Sequence, residues 1–251
     1  MKHNSDKKKK FSLPTHLSYW ENQVPEEEFN RWCGNPFSPF KMIIRQIIHA
    51  HGYESVLDVG AGTDSMARGF QDDAVNFKRK IATYVATDIT PKYVTDLQKK
   101  GIEAYRCSVE SMPFEDNQFE CVLCLDVLNH QLSYEEQIKE LLRVSKDQVI
   151  ITFFKCFEEL IGETFPGTNQ PLPGSTHAAG AKLEKTELGT LEHRITEGSD
   201  TVCVYHYFNR SKLLNFLESL KVDFSIKYTP DNVVILFLKK NSFPKIQLTE
   251  Q

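Results

Sequence analysis

A chain of 251 residues, 40% hydrophobic and 25% charged, has the make-up of a globular protein with one sizeable core. Its net charge of −4 gives no electrostatic footprint for nucleic acid. No stretch approaches the roughly 20 apolar residues of a membrane-spanning helix, and the first residues lack the apolar segment of a secretory signal.

Residues 1–17, with Lys7-Lys8-Lys9-Lys10, hold almost nothing apolar and read as a disordered basic tail. Residues 18–52 read as a helical cap, with helices expected over 25–32 and 40–51. In the second helix Met42, Ile43, Ile44, Ile47 and Ile48 form a broad apolar face, and Gly52 is its stop. Residues 55–59 make a short apolar strand running into the turn Gly60-Ala61-Gly62, after which Asp64 is placed to cap a helix. A second strand over 81–87 ends on Asp88, with 72–80 as a polar insertion before it. Thr90-Pro91 opens another helix, threonine as cap and proline in the first turn. Strands are expected at 102–107, 119–125 and 148–154. The capping box Ser133-Tyr134-Glu135-Glu136 opens a helix before the last of them.

Strands alternating with helices imply a parallel sheet wound by right-handed crossovers. The C-terminal part changes character. Asn209 caps a helix over 210–220, and strands at 222–228 and 233–238 form a hairpin. Residues 156–207 are a long insertion with Pro- and Gly-rich turns, of a kind that serves as a lid or binding loop. Within it, 190–196 and 201–207 around Gly198 are expected to pair. The six cysteines, Cys33, Cys107, Cys121, Cys124, Cys156 and Cys203, are scattered. Cys121 and Cys124 have CxxC spacing inside an apolar run without a second pair, so buried thiols in a reducing, cytoplasmic compartment are expected rather than metal.

Gly60 and Gly62 let the chain turn tightly and a ligand approach the backbone, although a plain strand-to-helix turn also accounts for them. Asp88, at a strand end, suits the two hydroxyls of a ribose, or equally a cap for Thr90-Pro91. A third segment, Cys107-Ser108-Val109-Glu110-Ser111-Met112-Pro113-Phe114, precedes Asn117-Gln118-Phe119-Glu120 and the fourth strand. With these three in order, the chain resembles the class I S-adenosylmethionine-dependent methyltransferases, in particular the small-molecule, type 11-like group with a "D-A-x-x-L-P-F…S-F-D" segment. The resemblance covers about 55–154 and continues through the final helix and hairpin.

It implies an α/β, Rossmann-like three-layer sandwich over 53–251. The mostly parallel, seven-stranded sheet would have the order 3-2-1-4-5-7-6, a C-terminal antiparallel hairpin and a lid-like insertion after strand five. It also implies S-adenosylmethionine as cofactor. Asp58, Gly60, Ala61 and Gly62 match the turn near its methionine part, Asp88 the ribose carboxylate, and Ile89 a neighbour of the adenine. Ser108, Val109 and Glu110 fall on the adenine loop, and Leu125 and Asp126 beside the methyl group. Two positions depart from the pattern: Asp64 replaces a third glycine, and Ser108 replaces an aspartate. They leave open a non-catalytic, methyltransferase-like binding subunit. A nicotinamide site is disfavoured, because its G-x-G-x-x-G would need glycine where Ser65 stands.

The end of strand four, Leu125-Asp126-Val127-Leu128, lacks the Asn/Asp-Pro-Pro motif of adenine and glutamine methylation. Strand five lacks the acidic pair of a catechol-type magnesium site, so no metal is expected. What remains is a small polar acceptor, a sugar or other hydroxyl compound, methylated on oxygen; an amine or amino sugar is the alternative. His130, after strand four, is the first candidate for general base, or else it packs beside the cofactor. His206 is the second, on a strand that sets Cys203, Tyr205 and Tyr207 on one face and Val204, His206 and Phe208 on the other. Tyr19, Trp20, Phe29, Trp32 and Phe37 supply an aromatic cap over the acceptor or cover the sheet edge.

Overall fold

Both faces of Ser55–Val59 (β1) are covered. Val56 packs with Phe40, Ile44 and Ile48 in one core, whereas Leu57 and Val59 join Ile138, Leu141 and Leu213 in another. A strand buried on both faces belongs inside a helix–sheet–helix sandwich. The computed structural model has that architecture. It describes residues 19–20, 26–155, 157–164, 167–171, 175–178, 180–195, 202–229 and 233–240. The expected tail, Cys156, the pairing turn around Gly198 and the hairpin turn at 230–232 lie outside these residues.

After β1 come β2 (Thr83–Asp88), β3 (Glu103–Arg106), β4 (Phe119–Leu125) and β5 (Ser145–Phe153). Then follow β6 (Lys182–Thr186), β7 (Gly189–Ile195), β8 (Val202–Phe208), β9 (Asp223–Tyr228) and β10 (Val234–Lys239). The large sheet has seven strands in the order β3-β2-β1-β4-β5-β10-β9. Its first five are parallel, and β10 runs antiparallel to both β5 and β9. As β9 and β10 are this sheet's sixth and seventh strands along the chain, its order is the expected 3-2-1-4-5-7-6. The helices are α1 (Glu26–Cys33), α2 (Pro39–His51), α3 (Ser65–Phe77), α4 (Pro91–Lys99), α5 (Glu135–Val144) and α6 (Arg210–Ser219). Helices α2 and α3 cover one face through Ile44, Ile48, Met66 and Phe70, and α5 and α6 the other. Among the described residues no helix is long and apolar enough to cross a membrane.

Several local expectations fail for identifiable reasons. Residues 72–77 are not an insertion but the last turns of α3. Asp73 is buried there and accepts from Arg45 Nε at 2.8 Å and His49 Nε2 at 3.1 Å, tying α3 to α2. The capping box does not form, because Tyr134 precedes the helix and is buried edge-on against Phe208, while Ser133 bonds to Gln137. Asp64 makes no capping bond and pairs instead with Arg68 and Lys100, each at 3.2 Å. Thr90 likewise does not cap α4 with its side chain. Asn209 does cap α6, accepting from the Lys212 amide at 3.0 Å.

The insertion folds as a second, antiparallel sheet of order β6-β7-β8, which contains the expected pairing of 190–196 with 201–207 and one more strand. Strand β8 is fastened to the short 3-10 turn Leu128–His130 that follows β4. Asn129, 1% exposed, donates from Nδ2 to the His206 carbonyl at 2.8 Å, and its Oδ1 accepts from the Lys155 amide at 3.3 Å. His130 Nδ1 donates to the Val204 carbonyl at 3.1 Å. Asn129→Ala would orphan two buried backbone groups at about 1–3 kcal/mol each. Denaturant unfolding is expected to show that loss, with Asn129→Asp intermediate because it keeps the acceptor.

Candidate active site

The carboxyl ends of β1, β2 and β4 open into a cavity of about 660 Å³ at the point where strand order reverses, between β1 and β4. At one end the lining is rich in carboxylates. After β1 the chain turns through Gly60 (φ 70) and Gly62 (φ 58), left-handed conformations that favour glycine. Side chains there would also meet neighbours: a Cβ on Gly60 would strike Val127, and one on Gly62 would lie 2.6 Å from the Phe29 ring. Asp88 is buried, and its two oxygens accept from the Gly62 amide at 3.0 Å and the Thr90 amide at 2.8 Å. Burial raises its pKa, and those amide bonds oppose the rise. Burial also pushes Asp58 up to about 6, against the hydrogen bond donated by Tyr84 at 2.6 Å and the nearby Lys41. Lys41 is itself buried and bonds to the Cys33 carbonyl (2.5 Å) and Ser65 Oγ (2.8 Å).

Beyond β4, Asp126 takes a left-handed conformation (φ 61). Thr152 Oγ1 donates to its carboxylate at 2.6 Å and accepts from its amide at 2.9 Å. Ser108, Val109 and Glu110 form the loop after β3, where Glu110 Oε1 accepts from Gln137 at 2.7 Å. Over this end lies α1, with Phe29 stacked on Tyr93 at 4.4 Å.

The other end is aromatic and cationic. His130 sits among Trp20 (4.7 Å between centroids), Tyr205 (5.0 Å) and Phe154 (5.4 Å). A carbonyl only accepts, so the bond to Val204 places a proton on Nδ1, and the neutral ring carries its lone pair on Nε2. Lys155, 7% exposed, lies 5.3 Å from the Tyr205 ring, and the Arg194 guanidinium lies 4.2 Å from the same ring.

Asp58, Gly60, Ala61, Gly62, Asp88, Ile89, Ser108, Val109, Glu110, Leu125 and Asp126 all line this one cavity, together with His130. His206 does not. It is fully buried beneath the second sheet, with Nδ1 donating to the Gln131 carbonyl (3.2 Å) and Nε2 bonded to Thr186 (3.2 Å). Burial lowers its pKa to about 4.

Residues 57–153 match the family model described as "Methyltransferase domain". Over that segment, which runs from β1 to β5, the chain is similar to methyltransferase domains. No curated protein matches the chain in sequence. In fold the chain is similar to DesVI of Streptomyces venezuelae, with TM-score 0.55, 10% identity, and 86% of this chain and 98% of that one covered. It is also similar to the magnesium protoporphyrin IX methyltransferase of Synechocystis PCC 6803 with bound SAM, with TM-score 0.52, 13% identity, and coverage of 89% and 88%. A third is a possible histamine N-methyltransferase of Thermotoga maritima, with TM-score 0.51, 12% identity, and coverage of 92% and 100%.

The cavity also uses residues that no sequence pattern singled out, Cys33, Lys41, Lys155 and Arg194, and Tyr205 from the expected aromatic face of the strand. Of the expected aromatic cap, Trp20 and Phe29 line it, Phe37 is 52% exposed elsewhere, and the Trp32 side chain lies outside what is described. His177 bonds to buried Glu192 at 2.9 Å, and His193, on β7, pairs with Glu184 at 3.1 Å.

The Phe29–Gly62 contact yields a test. Gly62→Ala combines a disfavoured φ with a clash, so it is expected to destabilise the protein by about 1 kcal/mol or more in thermal unfolding. In a double-mutant cycle Phe29→Ala should relieve part of that cost.

Proposed function

We propose that this methyltransferase moves the methyl group of S-adenosylmethionine onto a hydroxyl of a small polar molecule, with His130 as general base. The observation that carries this reading is that the carboxylate end and the His130 end belong to one continuous cavity.

The residues present fit the cofactor. Gly60 and Gly62 line the cavity without side chains, so a ligand there would meet backbone. Each Asp88 oxygen accepts one backbone amide and retains capacity for another donor, so the carboxylate would hold ribose hydroxyls. Ile89 and Val109 offer apolar contact, and Ser108 and Glu110 polar contact, to the adenine; Asp58, Leu125 and Asp126 would face the methionine part. When bound, S-adenosylmethionine supplies a methyl group already activated on a cationic sulfonium. The chain's own contribution is then alignment, exclusion of water and removal of a proton. His130 is suited to the last of these, because the Val204 carbonyl fixes its tautomer and leaves Nε2 as the basic nitrogen. An amine acceptor could react without that base.

The test is a labelled-methyl transfer screen against sugars, hydroxyaromatics and small amines, beside calorimetric cofactor binding. Asp88→Ala and Gly60→Val are expected to lose cofactor binding; unchanged binding in both would refute the site. His130→Ala is expected to bind cofactor with near-native affinity and lose about 10²–10⁴-fold in kcat, the usual contribution of a general base. Full turnover by that variant on an amine would decide for N-methylation.

The raised pKa of Asp58 adds a pH dependence. Its ionised form favours a cationic ligand, and its ordinary tendency to be charged at neutral pH is weakened by burial to a midpoint of about 6. Affinity for S-adenosylmethionine should therefore rise as pH increases through about 6 and level off above it. Asp58→Asn should flatten the profile.

A further inference from the structure

The two ends of the cavity differ in charge. The carboxylates that line it, Asp58, Asp88, Glu110 and Asp126, stand at or just beyond the ends of β1 to β4 and outnumber the one cation among them, Lys41. At the His130 end the charged lining residues are Lys155 and Arg194. Arg194 donates from Nε to Glu192 at 2.5 Å. Glu192 is fully buried and also accepts from His177, Tyr207 and the Ala178 amide. Glu192 thus backs Arg194 from outside the cavity lining, which leaves Lys155 and Arg194 as the charged groups on the wall itself.

Lys155 is held by position rather than by chance. Its amide is fixed by Asn129, and its ammonium lies 5.1–5.9 Å from the rings of Tyr207, Tyr205 and Phe154. A buried ammonium over aromatic rings, with a guanidinium at the same ring, makes a positive and weakly screened wall.

From this segregation, and resting on the O-methyltransferase reading above, we propose that the acceptor carries an anionic oxygen group, a carboxylate or phosphate. Lys155 and Arg194 hold that group while a hydroxyl of the same molecule faces His130. The rings of Trp20, Phe154 and Tyr205 cover its apolar body. An ammonium-bearing acceptor meets like charge at this wall, so the same wall selects against cationic amines. The two binding residues reach the site from different places, one after β5 and one on β7, so the second sheet is what completes the acceptor pocket.

The experiment uses the full chain saturated with S-adenosylhomocysteine and three matched pairs of probes. They are 4-hydroxybenzoate with 4-hydroxybenzamide, glucuronate with glucuronamide, and glucose 6-phosphate with glucose. Calorimetry is expected to show at least one anion binding about tenfold or more tighter than its neutral partner, the scale of a charge-assisted hydrogen bond. The pairs distinguish carboxylate from phosphate. Lys155→Met, which keeps the stem of the side chain, should erase most of that preference and leave S-adenosylhomocysteine affinity unchanged.

Neutral probes that bind as well as their anions, or a panel in which no anion binds, would overturn the proposal. If S-adenosylhomocysteine itself fails to bind, the methyltransferase reading fails as well. If it binds and neutral acceptors are methylated with labelled cofactor, only the anion proposal falls.

Discussion

The turn that leaves β4, residues 126–130, constrains both halves of the cavity. Asp126 adopts a left-handed backbone, a conformation that costs an ordinary residue about 1–2 kcal/mol. Two hydrogen bonds to Thr152 on β5 hold it there. The bend brings Val127 against Gly60, so the first glycine of the β1 turn is required by packing as well as by its own φ. Asn129 and His130 then use their side chains to fasten β8, drawing the second sheet over the mouth of the first. The same His130 bond that docks the sheet also selects the tautomer, so the scaffold and the proposed chemistry share one hydrogen bond. Five consecutive residues therefore connect the cofactor turn, the proposed base and the strand carrying Tyr205.

Burial gives the site its electrostatic character. Asp58 and Asp88 are carboxylates in a poorly hydrated place, and both have raised pKa values for that reason. A cation entering beside them recovers attraction that water would otherwise screen. At the far end the sign reverses, with Lys155 and Arg194 over Tyr205. On the proposed reading, a cavity with opposite charge at its two ends would orient a cationic methyl donor and an anionic acceptor before any bond changes.

The legibility of the sequence follows the range of the interactions involved. Strands β1 and β4 begin and end where their apolar runs do, because burial on both faces is written into consecutive residues. The residues expected at the cofactor come together in one cavity because each lies at or just beyond the end of a strand, and a parallel sheet gathers strand ends at one edge. Helix starts were read less well. Tyr134 is drawn into the core by Phe208, far along the chain, and that contact overrides the local capping pattern of Ser133. Residues 72–77 looked like a polar insertion because nothing nearby reveals that Asp73 meets Arg45 of α2. Lys155 and Arg194 come together only when the insertion folds back onto the sheet, and no spacing encodes that approach. Alternation on β8 placed His206 with Val204, but it carries no information on depth, and His206 lies beyond the cavity among Gln131 and Thr186.

The decisive measurement is a crystal structure of the full chain with S-adenosylhomocysteine bound. Ribose hydroxyls are expected on Asp88, with the homocysteine sulfur directed along the cavity toward the His130 end. Ligand bound elsewhere, or a sulfur facing away from His130 with that ring cut off from it by protein, would refute the shared donor and acceptor cavity.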